Sequence, residues 1–331
     1  MSNLMKDIAE DLNLSKTTIS WILSGKGEER GFSEETIKLV KDYAKKVNYQ
    51  PNLLARSLSL GTTNTIGLII PFIGDTFYAQ IAQAIETEAE KRNFLLTICS
   101  SEGDSAHEIE LIRTLRSKQV DGLIIAPTKN SISEIKRLKK DSFPFVLIDR
   151  YFPKLETNYI VVNNEESSYL MVTHMIKRKC KKIAFLTSDT NLLVMGLRMV
   201  GYMNALKKAN AIQDDSLVLK IKRDDYKNDI KKQLNTLFKK HTDVDGLYFA
   251  THYLALEAIR YFLAKNIDYR KFVLACFHET QALDILAPEM ITARMPINEM
   301  GEKSVEILLE NIKQKTLHPR HLVLENELIN I

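Results

Sequence analysis

The sequence predicts two fold classes in one chain, a small all-α unit at the N-terminus and a larger two-lobed α/β region behind it. Three observations carry this reading. Apolar residues recur at helical spacing in three short segments before residue 50. From Thr65 onward, apolar runs of four to seven residues alternate with amphipathic stretches. A polar segment near Thr157–Asn164 then divides that alternating region into two similar halves. At 331 residues the chain exceeds the size at which a single core stops growing, so several compact units are expected.

The first segment places Ile8, Ala9 and Leu12 on one helical face and stops at Asn13, the best non-glycine residue for a left-handed turn. Leu14 can plug the angle that follows. Ser15 is a good N-cap for a second helix carrying Ile19, Ile22 and Leu23. Two short helices joined by so tight a turn read as a helix-turn-helix, whose second helix would lie in the major groove of DNA. Ser15, Lys16, Thr17 and Ser20 are the exposed candidates for base edges. A third helix is capped by Ser33, carries Glu34 and Glu35 against the helix dipole, and buries Ile37, Val40, Ala44 and Val47. Next, Pro51 suits a helix start and Gly61 a stop, which defines a helix of about ten residues, too short to stand alone in water.

Beyond the linker, the strand-like runs are Thr65–Pro71, Phe94–Ser100, Gly122–Ala126 and Phe145–Ile148, then Lys182–Leu186, Gly246–Phe249 and Val273–Phe277. Alternation with helices implies parallel sheets covered on both faces, and there are too many strands for one sheet. Open α/β sheets bind ligands beyond the carboxyl ends of their strands. Those ends carry Phe72, Asp75, Phe77 and Tyr78 after the first run, Asp149 and Arg150 after the fourth, Thr251 and His252 later, and Cys276, Phe277 and His278 at the last. An aromatic floor with charged groups at its rim suits a carbohydrate, whose ring faces are apolar and whose edge carries hydroxyls. Phe77 and Tyr78 equally suit the core, and Asp149 equally suits an ion pair between lobes.

Composition excludes several classes. Hydrophobic residues at 45% and charged residues at 27% are ordinary for a globular chain. The run Ile66–Ile73 falls well short of the roughly 20 apolar residues of a membrane span. Lys6, Asp7, Glu10 and Asp11 stand where a signal peptide would be basic and then apolar, so the expectation is a cytoplasmic protein without membrane contact. Cys99, Cys180 and Cys276 lack any C-x-x-C spacing and read as reduced thiols. His107, His174, His241, His318 and His321 show no metal spacing, so no metal and no cofactor are expected. No nucleotide-binding, nucleophile-elbow or zinc-protease motif occurs, which leaves catalysis without a seat. Net charge is +4, but nine basic against eight acidic side chains leave the first sixty residues near neutrality. The DNA reading therefore rests on pattern, not charge.

In order, Asp7-Ile8-Ala9-Glu10, Ser15-Lys16-Thr17-Thr18-Ile19-Ser20, Ser33-Glu34-Glu35-Thr36, Asn48-Tyr49-Gln50-Pro51-Asn52, Leu54-Ala55-Arg56-Ser57-Leu58 and Thr65–Pro71 closely resemble the lactose-repressor family. The resemblance implies a helix-turn-helix DNA-binding domain over 1–49, a hinge helix and linker over 50–63, and a periplasmic-binding-protein-like effector and dimerisation domain over 64–331. It places the first lobe at about 64–159 and 291–320 and the second at about 160–290 and 321–331. Crossings then fall near Asn158–Asn164, Pro288–Ala293 and His318–Leu322, with an effector cleft between lobes. Asn52, Ala55, Arg56 and Leu58 become DNA contacts, with Leu58 an apolar wedge able to unstack a base step. The block Gly196–Tyr202 makes Arg198 an effector contact, the alternative being an ion pair between lobes. The implied protein is a homodimeric transcription regulator, in the expected case a repressor. Its partners would be a near-palindromic operator and a small-molecule effector, in the first instance a sugar or sugar derivative.

The chain departs from the family at informative places. Trp21 stands where an arginine is usual, either packing on the third helix or reaching DNA, and the loop Gly25–Gly31 is longer than the norm. His278 replaces an aspartate, and Thr251-His252 replaces an Asn-Asp pair. With Arg150 and Arg198 nearby, the exchange fits either an acidic sugar met by imidazolium or a neutral one met by imidazole. The competing function is a transport-type sugar-binding protein with no DNA role. Its weak points are the sixty-residue helical module and the missing signal peptide.

Overall fold

The computed structural model describes residues 5–49, 61–314 and 319–331, and the chain divides into two compact units, Met1–Thr63 and Asn64–Ile331. Asn52, Ala55, Arg56 and Leu58, with the proposed hinge helix, lie outside the described residues, as does His318.

In the first unit, α1 spans Met5–Asp11, α2 Lys16–Leu23 and α3 Glu34–Lys46. Asn13 takes φ 51°, the left-handed turn its side chain tolerates. Ser15 caps α2 by accepting from the Thr18 amide at 3.0 Å, and Ser33 caps α3 through the Thr36 amide at 3.3 Å. Ile8, Ala9, Ile19, Ile22, Ile37, Val40 and Ala44 close a core between the three helices, while Val47 packs at its margin, half-buried. The long loop before α3 folds back on this core. A Cβ at Gly27 would stand 2.9 Å from Ile37 Cγ1, so only glycine lets the loop lie so close.

The second unit holds two sheets of six strands each. The first is built from β1 Thr65–Ile70, β2 Leu95–Ser100, β3 Gly122–Ile125, β4 Phe145–Ile148, β5 Tyr159–Val162 and β11 His321–Leu324, in spatial order β11-β5-β4-β3-β1-β2. The second runs β12-β10-β9-β8-β6-β7, from β6 Ile183–Ser188, β7 Val218–Ile221, β8 Gly246–Phe249, β9 Val273–Phe277, β10 Ile291–Arg294 and β12 Glu327–Ile329. The pairings are parallel except β10 with β12. Helices α4 Thr76–Lys91, α5 Ser105–Ser117, α6 Ile132–Lys140 and α12 Ile297–Gln314 belong with the first sheet. α7 Asn164–Lys177, α8 Leu193–Lys208, α9 Tyr226–Lys240, α10 His252–Ala264 and α11 Gln281–Leu286 belong with the second.

The first crossing falls at the end of the expected window, and the second and third sit later than the sequence expectation. β5 and β11 both belong to the first sheet, pairing Tyr159 with His321 through Val162 with Leu324, and β10 belongs to the second beside β9. Among the described residues the chain changes lobe where ladder bonds end, at Asn163-Asn164, Met295-Pro296 and Glu325-Asn326. Side chains take over there, Asn163 Oδ1 accepting from the Asn326 amide at 3.1 Å. The apolar stretch Leu322–Ile329 is accordingly two strands in two sheets.

Candidate functional site

Between the lobes lies a cleft of about 640 Å³. Its walls are the strand ends, because a parallel sheet leaves its last carbonyls and the following turn at one edge. The structure brings Phe72, Asp75, Phe77, Tyr78, Asp149, Arg150, Arg198, Thr251, His252 and His278 all to this cleft.

On the first-lobe wall, Asp75 caps α4 by accepting from the Phe77 amide at 3.1 Å, which fixes both aromatic rings that follow. Phe77 and Tyr78 are buried in the core and line the cleft with what remains. Asp149 follows β4 with φ 62°, and the Arg150 amide bonds back to the Ile148 carbonyl at 2.6 Å. That turn aims the carboxylate inward. Tyr78 Oη donates to Asp149 Oδ2 at 2.7 Å and Arg150 Nε stands 3.2 Å from the same oxygen. Burial holds the Tyr78 phenol well above its ordinary range, so it stays a donor. Beneath this wall Glu108 is fully buried, accepts the Thr128 amide at 2.7 Å, and is pushed up by burial.

On the second-lobe wall, Arg198 is placed by the contact of α8 with α7. A Cβ at Gly201 would fall 2.2 Å from the Glu165 carbonyl, so the helices meet there only over glycine. Arg198 donates to Asn164 Oδ1 at 2.8 Å and to the Ala250 carbonyl at 2.5 Å, with its guanidinium 3.6 Å from the centre of the Phe277 ring. Neither Asp149 nor Arg198 forms an ion pair between lobes, since the partners of each lie in its own lobe. His278 ends β9 with φ 79°, and its ring is buried beside Phe77 at 5.3 Å and His252 at 5.1 Å. Burial, reinforced by His252 and Arg198, lowers His278 to about 3. His252 is lowered by burial too, against the pull of Asp75, whose Oδ1 lies 3.7 Å from Nε2. Both imidazoles are therefore neutral near pH 7 in the free protein.

The same cleft carries groups the sequence reading passed over. Thr128 to Asn130 follow β3, Ser188 to Asn191 follow β6, and Arg223 follows β7. Arg223 reaches across the mouth, its guanidinium 4.6 Å from the Phe72 ring and 4.2 Å from that of Tyr253. All three groups obey the strand-end rule and could have been found by applying it to every strand. Among the described residues, no group of three or more His, Cys, Asp or Glu could hold a metal, and no helix is long and apolar enough to cross a membrane.

In the N-terminal unit, Ser15, Lys16 and Thr17 are exposed on α2, and Ser20 and Trp21 are half-buried. Trp21 packs on Phe32, ring centres 6.2 Å apart, with the Arg30 guanidinium 4.8 Å from its face. Its packing partner is the residue ahead of the Ser33 cap, within the loop's return.

Residues 63–330 match the family model described as periplasmic binding proteins and sugar binding domain of LacI family. The chain is 28% identical over 342 residues to the HTH-type transcriptional regulator RegA of Clostridium saccharobutylicum, covering 99% of this chain and 98% of that one. It is 27% identical over 314 residues to the HTH-type transcriptional repressor PurR of Aliivibrio salmonicida, covering 94% and 92%. A crystal structure of the Lac repressor dimer bound to operator and the anti-inducer ONPF superposes with a TM-score of 0.86 at 18% identity, over 99% of this chain and 98% of that one.

Proposed function

The chain belongs to the LacI family, and from that membership we propose that it is a cytoplasmic, homodimeric repressor whose hold on a near-palindromic operator is set by a small molecule in the interlobe cleft. One observation carries the reading: a helix-turn-helix with exposed polar residues at the start of its second helix is followed, in one chain, by a two-lobed unit with a polar cleft at its strand ends. Ser15, Lys16, Thr17 and Ser20 would meet base edges or phosphates, as the geometry of such a helix in the major groove requires. Trp21, Asn52, Ala55, Arg56 and Leu58 would complete the contact. The ten predicted cleft residues would hold the effector, a sugar or close derivative, because the cleft combines aromatic rings with scattered hydrogen-bonding groups. Dimerisation is supported by β2, an edge strand that exposes Leu95 and Ile98 to solvent.

A gel shift tests this with the full chain and the DNA upstream of its own gene. The expected outcome is a discrete complex whose affinity falls as salt rises, reflecting phosphate contacts, and changes when a sugar occupies the cleft. A chain that shifts no DNA at any salt concentration yet binds a sugar would be the transport-type protein instead.

A further inference from the structure

The loop between α2 and α3 holds a guanidinium on the side of α2 that looks away from the core. Ile19 and Ile22 turn inward, so Thr17, Ser20 and Trp21, at three- and four-residue spacing, share the opposite face of the helix. The loop is tied down along its length. The Lys26 amide bonds to the Trp21 carbonyl at 2.9 Å, the Arg30 amide to that of Lys26 at 3.1 Å and the Phe32 amide to that of Gly27 at 3.1 Å. Ser24 Oγ also donates to the Trp21 carbonyl, at 3.0 Å. Phe32 returns to Trp21 with ring centres 6.2 Å apart, and Arg30, itself exposed, places its guanidinium 4.8 Å from the centre of the Trp21 ring. Arg30 is the one arginine among residues 5–49, and among the described residues no carboxylate pairs with it, although Glu28 and Glu29 are its chain neighbours.

We propose that Arg30 is a specificity-determining residue for DNA, held against the Trp21 ring so that its guanidinium reads a guanine in each half-site of the operator. The inference rests on the reading of α2 as the helix that enters the major groove. A helix in that groove turns its exposed face to the base edges, and here that face carries Thr17, Ser20 and the Trp21 ring. Short hydroxyls such as Thr17 and Ser20 meet several bases alike, whereas a guanidinium fork matches the O6 and N7 acceptors of guanine together. Stacking leaves the fork free, because the ring covers one face of a planar ion whose N–H donors point out from its rim. The ring also restrains a long side chain in advance, which reduces the freedom lost on binding. An arginine that served to brace the loop had Glu28 and Glu29 beside it in the chain, and it pairs with neither. A phosphate is the other acceptor open to a guanidinium, but it carries no sequence information. The seat over Trp21, one turn along from Thr17 on the same face, favours the base edge.

Binding-site selection from a randomised duplex library tests this, with the full chain beside Arg30→Ala, Arg30→Lys and Trp21→Leu. The parent should select a motif in which a G·C pair is fixed at one position of each half-site. Arg30→Ala should tolerate any base pair there while keeping the remaining positions, and its affinity for the parent motif should fall about tenfold or more. Arg30→Lys keeps the charge without the fork, so it should relax the same position and leave the salt dependence as in the parent. Trp21→Leu should relax that position too, and combined with Arg30→Ala it should add nothing further there, whereas a tryptophan that only packed would act independently. The two Arg30 variants change an exposed side chain and decide the proposal even where Trp21→Leu fails to fold. A motif unchanged in Arg30→Ala overturns the proposal and leaves the stack as packing alone. An equal loss on the motif and on an unrelated duplex, with a shallower salt slope, marks a phosphate contact and overturns it as well. Either result leaves α2 as the recognition helix. Selection of no sequence by the parent, with no DNA retained even at low salt, overturns that reading together with the proposal.

Discussion

Asp149 and His278 occupy the same place in the two lobes. The sheets share one strand order apart from their numbering, so β4 and β9 correspond, and each is followed by a residue in the left-handed region, φ 62° and 79°. From there the two diverge. Asp149 Oδ2 meets Tyr78 and Arg150 within its own lobe, whereas His278 has no partner for either ring nitrogen. The first wall is nearly finished before any ligand arrives, Thr128 Oγ1 and Arg150 Nε being its unpartnered buried atoms among the described residues, and the second carries five, so unmet hydrogen-bonding capacity is concentrated around His278. The difference teaches that a cleft can divide its labour: the better-paired side contributes rigidity, and the less-paired side holds a cost in stability that binding relieves.

The strongest way to break the comparison is to unsaturate the nearly finished wall. Asp149→Ala leaves Arg150 buried without its counter-charge and the Tyr78 hydroxyl without an acceptor. Removing one partner of a buried pair typically costs about 3–5 kcal/mol, and urea unfolding followed by far-UV circular dichroism should show a loss of that size. His278→Asn on the opposite wall, which orphans nothing, should cost under about 1 kcal/mol in the same measurement. Equal losses at the two positions would mean that the walls do not differ as described.

A second, smaller effect sharpens the contrast through pH. His278 is lowered in the fold to about 3 from the usual 6.5, so the unfolded chain binds a proton first as pH falls. The sign follows directly: stability is full above about 6.5 and declines as pH drops toward the folded value. One such group lowers stability by about 2 kcal/mol between pH 7.5 and pH 5. His252, also lowered, adds in the same direction. The parent chain should therefore lose about 2 kcal/mol more than His278→Asn over that interval in paired urea titrations. Parallel curves for the two proteins would show that His278 is free to protonate in the fold.

Much of this was legible in the sequence, and the parts that were not share a cause. Asn13, Ser15 and Ser33 act through neighbours within three residues, so the headpiece turn and both caps could be read locally. Nine of the ten cleft residues follow from one topological rule about strand ends, Arg198 came from the family resemblance, and Ser188, Thr128 and Arg223 escaped because that rule was not carried to β6, β3 and β7. The lobe crossings were another matter. Whether Ile160 to Val162 belong to one lobe or the other depends on their pairing with Leu322 to Leu324, some 160 residues away, which no local pattern encodes. The charge state of His278 was hidden for the same reason. The sequence left an acidic and a neutral sugar both open, because the contacts that Arg198 makes to Asn164 and the Ala250 carbonyl, and Arg150 to Asp149, are brought together only by the fold.

The smallest expected effect is the most telling about the unfinished wall. Ser188 Oγ and Thr251 Oγ1 are buried without partners, so removing them should relieve a penalty instead of adding one. Deleting a partnered buried hydroxyl costs about 1 kcal/mol, whereas replacing an unpartnered one by an apolar group of similar shape is near neutral or stabilising. Ser188→Ala and Thr251→Val should accordingly change the unfolding free energy by no more than about 0.5 kcal/mol, with any shift toward greater stability. Affinity for the sugar that occupies the cleft should fall in both variants, because the hydroxyl that would have met the ligand is gone. Calorimetry beside urea unfolding separates the two readouts. A loss of stability above 1 kcal/mol would reveal a hydrogen bond already made within the free protein, and unchanged affinity would place the effector on the other wall, against Asp149.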